Sequence, residues 1–143
     1  MTNSVLCAVD ISNGEIDAPV IRQAAKLADL DGAQLDVITV VPDWGQSLVA
    51  SFFETHHHDR VVKEANRQLR DLCVKVLGDD RNASVRHVVA TGTAYEAILK
   101  MAKKAGTDLI VIGAHKPDFK DYLLGPNAAR VIRHSTCSVY VVR

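Results

Sequence analysis

A glycine-bearing segment near the C-terminus has the residue types of an anion site. Residues 109–112 form an apolar run that stops at Gly113, and residues 125–127 (Gly-Pro-Asn) open a short helical pattern. Glycine lets the backbone approach a ligand closely, and a helix N-terminus presents free N–H groups to an anion. His115 and Lys116 place cations between the two ends of the segment. We therefore expect residues 113–127 to face a phosphate or another anion.

An acidic residue follows the first apolar run. Residues 5–9 are apolar, and the run ends at Asp10, two positions before Ser12. A carboxylate at the end of a first strand can accept hydrogen bonds from ribose hydroxyls or help to hold a metal ion bound to phosphates. The alternative is that Asp10 only caps a turn with Ser12.

The end of the second apolar run supplies a third loop. Residues 34–41 form this run, and Pro42 ends it. A backbone N–H and C=O at such a strand end can read the edge of an adenine, with Val40 and Val41 as apolar walls. The signal is weak by itself, because any second strand ends similarly.

Other site chemistries lack support in the sequence. The chain contains no G-x-x-x-x-G-K-[ST], G-x-G-x-x-G or G-x-S-x-G motif. Consecutive His56, His57 and His58 point in different directions on a helix or strand, so we assign no metal ligands to them. We interpret residues 43–58 as a solvated loop with at most a helical turn. We assign no catalytic residues.

The order of elements places the three loops together. Short apolar runs at 5–9, 34–41, 83–90, 108–112 and 138–142 alternate with helical patterns, and this predicts a single doubly wound α/β domain over residues 1–143. The expected parallel sheet has five strands in the order 3-2-1-4-5, with helices on both faces and a switch point between strands one and four. Alternation in the third run predicts a half-exposed edge strand.

The helix boundaries follow from local signals. The first helix should start near Glu15, since Pro19 is tolerated only in a first turn, and Asp59 should cap the second. Thr93 and Glu96 have the spacing of a capping box at the start of the third helix, and a fourth helix is expected near 127–134.

The composition excludes several classes of partner. Seventeen basic and seventeen acidic residues cancel, so the chain has no electrostatic footprint for nucleic acid or an anionic membrane. No apolar stretch approaches the ~20 residues of a membrane span, and the N-terminus lacks the pattern of a signal peptide. Cys7, Cys73 and Cys137 lie far apart in apolar segments, which indicates reduced thiols and a cytoplasmic location.

From end to end the chain resembles the universal stress proteins, in particular the compact single-domain bacterial branch called the F/G type. The resemblance is most specific in 113–118, 122–125, 127–134 and 137–139, together with Val9-Asp10-Ile11-Ser12. It implies an adenine nucleotide alpha hydrolase-like fold that binds ATP or AMP, with or without Mg²⁺. The residues and the resemblance together give as candidate binding residues Val9, Asp10, Ser12, Val40, Val41, Gly113, Ala114, His115, Lys116, Gly125 and Asn127.

Two departures from the family pattern concern the phosphates. The family's ATP-binding pattern is Gly, two residues, Gly, nine residues, Gly, then Ser or Thr. Here eleven residues separate Gly113 from Gly125 instead of twelve, the middle glycine is absent, and Pro126 replaces the Ser or Thr. Proline has no hydroxyl and no backbone N–H. We therefore expect adenine and ribose recognition to survive while phosphate binding weakens.

Three functions remain as alternatives. The first is an adenine-nucleotide-binding regulatory protein of the stress response, with an unidentified regulatory protein partner. The second is a slow ATPase or phosphoryl-transfer enzyme, and the third is a dimeric scaffold without a ligand. The resemblance implies a homodimer through strand 138–142, which a monomer would leave as an apolar edge.

Overall fold

The computed structural model describes residues 1–42, 50–114 and 125–143, without the side chains of residues 13, 50–57, 125 and 126. The strands are β1 Ser4–Ala8, β2 Gln34–Val41, β3 Arg86–Thr91, β4 Leu109–Gly113 and β5 Ser138–Val142. The helices are α1 Gly14–Asp31, α2 Ala50–Leu77, α3 Asp79–Asn82, α4 Ala94–Ala105 and α5 Gly125–His134, and a 3₁₀ turn, Ile11–Asn13, precedes α1.

The strands form one parallel sheet in the order β3-β2-β1-β4-β5, as the sequence predicts. β1 is central, and its residue Ala8 pairs with Ile38 on one side and Ile112 on the other. Both neighbours run parallel to β1, so the carboxyl ends of β1, β2 and β4 lie at one edge of the sheet. That edge contains the switch point between β1 and β4.

The sheet separates two apolar clusters, which explains why its central strands are apolar without alternation. On one face α1 and α2 contribute Val20, Ile21, Leu69 and Cys73, packed on Val5, Cys7, Leu35 and Val37. On the other face α4 and α5 contribute Ile98, Ala102, Ala128 and Val131, packed on Leu6, Ala8, Ile38 and Ile112. The prediction of helices on both faces is confirmed.

The start of α1 lies within one residue of the predicted Glu15, but Pro19 is not in the first turn as expected. The helix begins at Gly14, so Pro19 lies beyond its first turn. Proline removes the hydrogen bond that the Glu15 carbonyl would accept. Both Glu15 and Pro19 are exposed, so water can hydrate this carbonyl, and the helix tolerates the proline.

The prediction of a loop before Asp59 is wrong for residues 50–58. α2 begins at Ala50, so Asp59 lies within the helix and His56–His58 belong to it. Residues 50–58 contain no proline or glycine, and adding residues to an existing helix costs little compared with starting one. The short helix α3 was also not predicted, and it moves the start of β3 from residue 83 to Arg86.

The predicted capping box of α4 does not form. Thr93 occupies the N-cap position, but its side chain makes no capping hydrogen bond. Instead, the Asn127 side-chain oxygen accepts the Tyr95 backbone N–H at 3.2 Å, and Glu96 accepts the Tyr95 hydroxyl at 3.1 Å. A partner from α5 therefore replaces the local one, and it ties the N-termini of α4 and α5 together.

β3 is a half-exposed edge strand, as predicted. It is joined to β2 by a charged pair at the register position Asp36↔Arg86. The fully buried Asp36 carboxylate accepts hydrogen bonds from Arg86 Nε at 2.9 Å and Nη2 at 3.0 Å. None of the helices within the described ranges has the length and apolarity needed to cross a membrane.

Candidate nucleotide site

Asp10 lies directly after β1, at the switch point of the sheet, and is 4% exposed. Its Oδ1 accepts two hydrogen bonds from Ser12, at 3.0 Å from the backbone N–H and 2.6 Å from the hydroxyl. Its Oδ2 is buried and has no hydrogen-bond partner among the described residues. Buried polar atoms are nearly always bonded, so an oxygen of this kind indicates a missing donor.

A second carboxylate holds the Asp10 backbone. Asp17, on the inner face of α1, is 1% exposed, and its Oδ2 lies 2.5 Å from the Asp10 backbone nitrogen that donates to it. The sequence analysis did not consider Asp17. The sequence did contain a signal for it: Asp17 lies three positions before Val20 and four before Ile21, so a helix places this acid on its apolar stripe.

At the carboxyl end of β2, Val40 packs in the apolar cluster with α4 and α5, whereas Val41 lines a cavity on the side of α2. Val40 and Val41 are 6% and 7% exposed, and the Val41 carbonyl accepts the Gly92 N–H at 3.0 Å. An open cavity of about 460 Å³ lies between α2 and the ends of β1 and β2. It is lined by Ile11, Val41, Val61 and Ala65, with Arg60, Glu64 and Gln68.

The polar side of this cavity is fixed by hydrogen bonds on α2. Glu64 accepts from Arg67 and from Gln68, the latter at 3.0 Å. The hydrogen bond from Arg67 is the main reason that the pKa of Glu64 falls to about 2, so this carboxylate is charged at neutral pH. Apolar walls with a few fixed polar groups are typical of sites for small ligands.

The end of β4 is bound into the sheet as far as Ala114. Gly113 is buried and pairs with Val142 of β5, and the Ala114 N–H donates to the Val142 carbonyl at 2.9 Å. The Ala114 N–H is therefore already used and does not add to the donors for a phosphate. His115 and Lys116 lie outside the described residues.

Gly125 and Asn127 lie at the N-terminus of α5, where the sequence places them. The Asn127 side-chain oxygen accepts the Tyr95 N–H at the α4 N-terminus, so this oxygen is already used within the fold. Pro126 is the second residue of the helix. The first turn of α5 therefore lacks one backbone N–H donor, because the nitrogen of a proline carries no hydrogen.

The described candidate residues divide into two groups. Val9, Asp10, Ser12, Val40 and Val41 surround the ends of β1 and β2, with Val9 fixed by its N–H donating to the Ile38 carbonyl at 2.9 Å. Gly113 and Ala114 lie at the end of β4 and just after it, and Gly125 and Asn127 lie in α5. The first group combines a carboxylate oxygen that is unpaired among the described residues with apolar side chains, which suits a hydroxylated ligand that has a flat apolar part.

Comparison with known proteins agrees with this geometry. The family model described as "Universal stress protein family" matches residues 1–143. Universal stress protein G of Shigella flexneri is 28% identical in an alignment 149 positions long that covers 100% of each chain. Universal stress protein A homolog 1 of Coxiella burnetii is 29% identical over 141 residues, covering 96% of this chain and 94% of the relative.

Solved structures share the fold. UspA from Lactobacillus plantarum has a TM-score of 0.73 at 22% identity, covering 99% of this chain and 98% of that one. An Archaeoglobus fulgidus universal stress protein in complex with dAMP has a TM-score of 0.71 at 21% identity, with coverage of 99% and 98%. A universal stress protein in complex with cAMP has a TM-score of 0.61 at 22% identity, with coverage of 99% and 97%.

The five-stranded sheet order, the position of Asp10 at its switch point and the match over residues 1–143 lead to one conclusion. The chain belongs to the universal stress protein family, with its adenine nucleotide alpha hydrolase-like fold.

Proposed function

We propose that this protein is a cytoplasmic regulatory protein of the stress response that binds an adenine nucleotide, AMP or ATP, and acts as a homodimer. The observation that carries the proposal is the buried Asp10 Oδ2, which has no partner among the described residues. A ribose hydroxyl is a neutral donor that would satisfy this oxygen without bringing a second negative charge to it.

The base is assigned to the β2 side of the crevice. The cavity of about 460 Å³ is within the usual range for small-ligand sites, and its apolar walls include Val41 and Ile11, the residue after Asp10. The relatives whose structures contain cAMP and dAMP support a ligand that carries adenine. The phosphates are assigned to residues 113–127, where the sequence supplies His115 and Lys116.

The homodimer is proposed through β5. This strand pairs with β4, and its other side is without a partner strand in the described part of the sheet. Tyr140 on this strand is 41% exposed. An apolar edge strand is usually covered or paired, and antiparallel pairing of two β5 strands across a two-fold axis would achieve this.

The central experiment is mass spectrometry of the nucleotide that the purified protein retains, followed by titration calorimetry with adenosine, AMP, ATP and guanosine. We expect retained adenine nucleotide, binding of adenosine, and little binding of guanosine. Asp10→Ala should weaken adenosine binding by about tenfold or more, since it removes a charged hydrogen-bond partner. Asp36→Ala, which removes a buried carboxylate of β2 that pairs with Arg86 of β3, is the matched control and should leave the affinity of the folded protein unchanged.

Two results would redirect this assignment. No retained nucleotide and no adenosine binding would favour the dimeric scaffold without a ligand. Phosphate release from ATP over hours, abolished by Asp10→Ala, would favour the slow ATPase.

A further inference from the structure

Asp17 is a buried acid that the proposed binding reaction does not use directly. It is 1% exposed and lies on the face of α1 that packs on the sheet, beside Val20, Ile21 and Ala24. Burying a carboxylate is costly unless it is bonded. Asp17 bonds the Asp10 backbone N–H with a nitrogen-to-oxygen distance of 2.5 Å, across seven positions of the chain.

The position of Asp10 explains why this bond matters. The Val9 N–H still donates to the Ile38 carbonyl of β2 at 2.9 Å, and the next N–H in the chain is that of Asp10. Asp10 is then the N-cap of the 3₁₀ turn, with extended dihedral angles φ −105° and ψ 112°. The sheet fixes the chain before Asp10, and Asp17 fixes Asp10 itself against α1.

The Asp10 side chain is held by a different residue from its backbone. Ser12 donates twice to Oδ1, from its backbone N–H and its hydroxyl. With the backbone bonded to Asp17 and Oδ1 bonded to Ser12, Oδ2 is the oxygen left without a partner among the described residues. Pre-organisation of this kind reduces the conformational entropy that is lost when a ligand binds.

We propose that Asp17 is a positioning residue of the nucleoside site: it holds the Asp10 backbone so that Oδ2 is presented to a ligand hydroxyl. The inference rests on the proposed function for its ligand. Its geometric half, that Asp17 fixes Asp10, is independent of which ligand binds. In this proposal Asp17 acts on the ligand through Asp10 and not by direct contact.

The test compares Asp17→Asn with Asp17→Ala. Asparagine keeps a side-chain oxygen that can accept the Asp10 N–H, whereas alanine removes it. We expect Asp17→Ala to weaken adenosine binding by about tenfold and Asp17→Asn to stay close to wild type. Each titration is made well below the unfolding temperature of the variant. Asp36→Ala is the control for a destabilised protein with an intact Asp10.

The second measurement is the NMR signal of the Asp10 amide. A short hydrogen bond to a carboxylate should give a downfield proton shift and slow hydrogen exchange. Asp17→Ala should move this signal upfield and speed its exchange, while Asp17→Asn should largely retain both properties.

The outcomes separate the two proposals. The positioning role is overturned if Asp17→Ala leaves the Asp10 amide unchanged, or if it lowers only thermal stability and adenosine binds as in wild type. Equal weakening by Asp17→Asn and Asp17→Ala also overturns it. If wild type binds no adenosine, the proposed function fails, and the amide signals alone decide whether Asp17 fixes Asp10.

Discussion

At the scale of single residues, the environment decides which groups can react. Burial, together with the nearby Cys73 and Asp17, raises the pKa of the Cys7 thiol well above its usual value. Burial also raises the pKa of Cys73 to about 11. Both thiols are therefore protonated and unreactive at neutral pH, which agrees with their apolar sequence context. Asp10 differs, because its buried Oδ2 has no hydrogen-bond partner in the described part of the chain.

Pro126 is a residue whose effect on binding can be isolated. Pro126→Ser restores a backbone N–H and adds a hydroxyl at the second position of α5. Each donor to a phosphate contributes about 1.5–3 kcal/mol, so we expect ATP affinity to rise at least tenfold while adenosine affinity stays constant. Pro126→Ala restores the backbone N–H without the hydroxyl, so the comparison with Pro126→Ser separates the contributions of the two donors to ATP affinity. Calorimetry that gives the same ATP affinity for wild type and Pro126→Ser would show that the missing donors do not limit phosphate binding.

At the scale of elements, the sequence was most informative where burial is complete. The apolar runs of β1, β2 and β4 lie between two layers of helices, so their lack of alternation identified them. It was least informative where a distant partner decides the structure. Asn127 caps α4 in place of Thr93, and Asp17 bonds Asp10 through a turn whose shape the sequence does not specify.

The same limit applies to α2 and to the site. The first turns of α2 carry polar residues and histidines without an apolar period, so no local signal marked them as helical. The positions of Asp10, Val41 and Gly113 at one sheet edge followed from strand order alone. Which atoms remain free there depends on hydrogen bonds such as Ala114 to Val142, which the sequence does not show.

The edge strand β3 gives a prediction for pH dependence. His87 is half-buried, with its Nε2 2.7 Å from Asn82 Oδ1. Burial and, second, the positive charge of Arg70 lower its pKa below the ordinary 6.5. The unfolded chain then takes up a proton before the folded protein does. The stabilising contribution is therefore complete above pH 6.5 and is lost as the pH falls through the lower folded pKa.

We expect His87→Gln to reduce the loss of unfolding free energy between about pH 7 and pH 5, measured by urea denaturation. Arg70→Gln removes the nearby positive charge and should partly reduce the dependence of the unfolding free energy on pH. If the unfolding free energy of His87→Gln changes with pH as much as that of the wild type, the pH dependence belongs to other groups.

At the scale of the whole molecule, the proposed dimer predicts a dependence on β5. Light scattering should give twice the mass of the 143-residue chain. Tyr140→Lys places a charge on the exposed side of the edge strand and should yield a monomer, because the two copies of the charge would meet across the axis. Leu30→Lys, at a 78% exposed position on α1, is the matched control and should remain dimeric. A monomeric wild type would contradict the assembly.

The hydrogen bond from Ala114 to Val142 has a consequence for how such proteins diversify. It carries the sheet one residue beyond β4, so the segment 115–124 leaves from a fixed point and ends at Gly125, where α5 begins. The free energy of closing a connection changes by only about 0.6 kcal/mol when its length doubles. A change in the length of this ten-residue connection should therefore cost little in chain entropy. If the proposed function holds, the chemistry offered to a phosphate can evolve separately from the scaffold that holds the nucleoside.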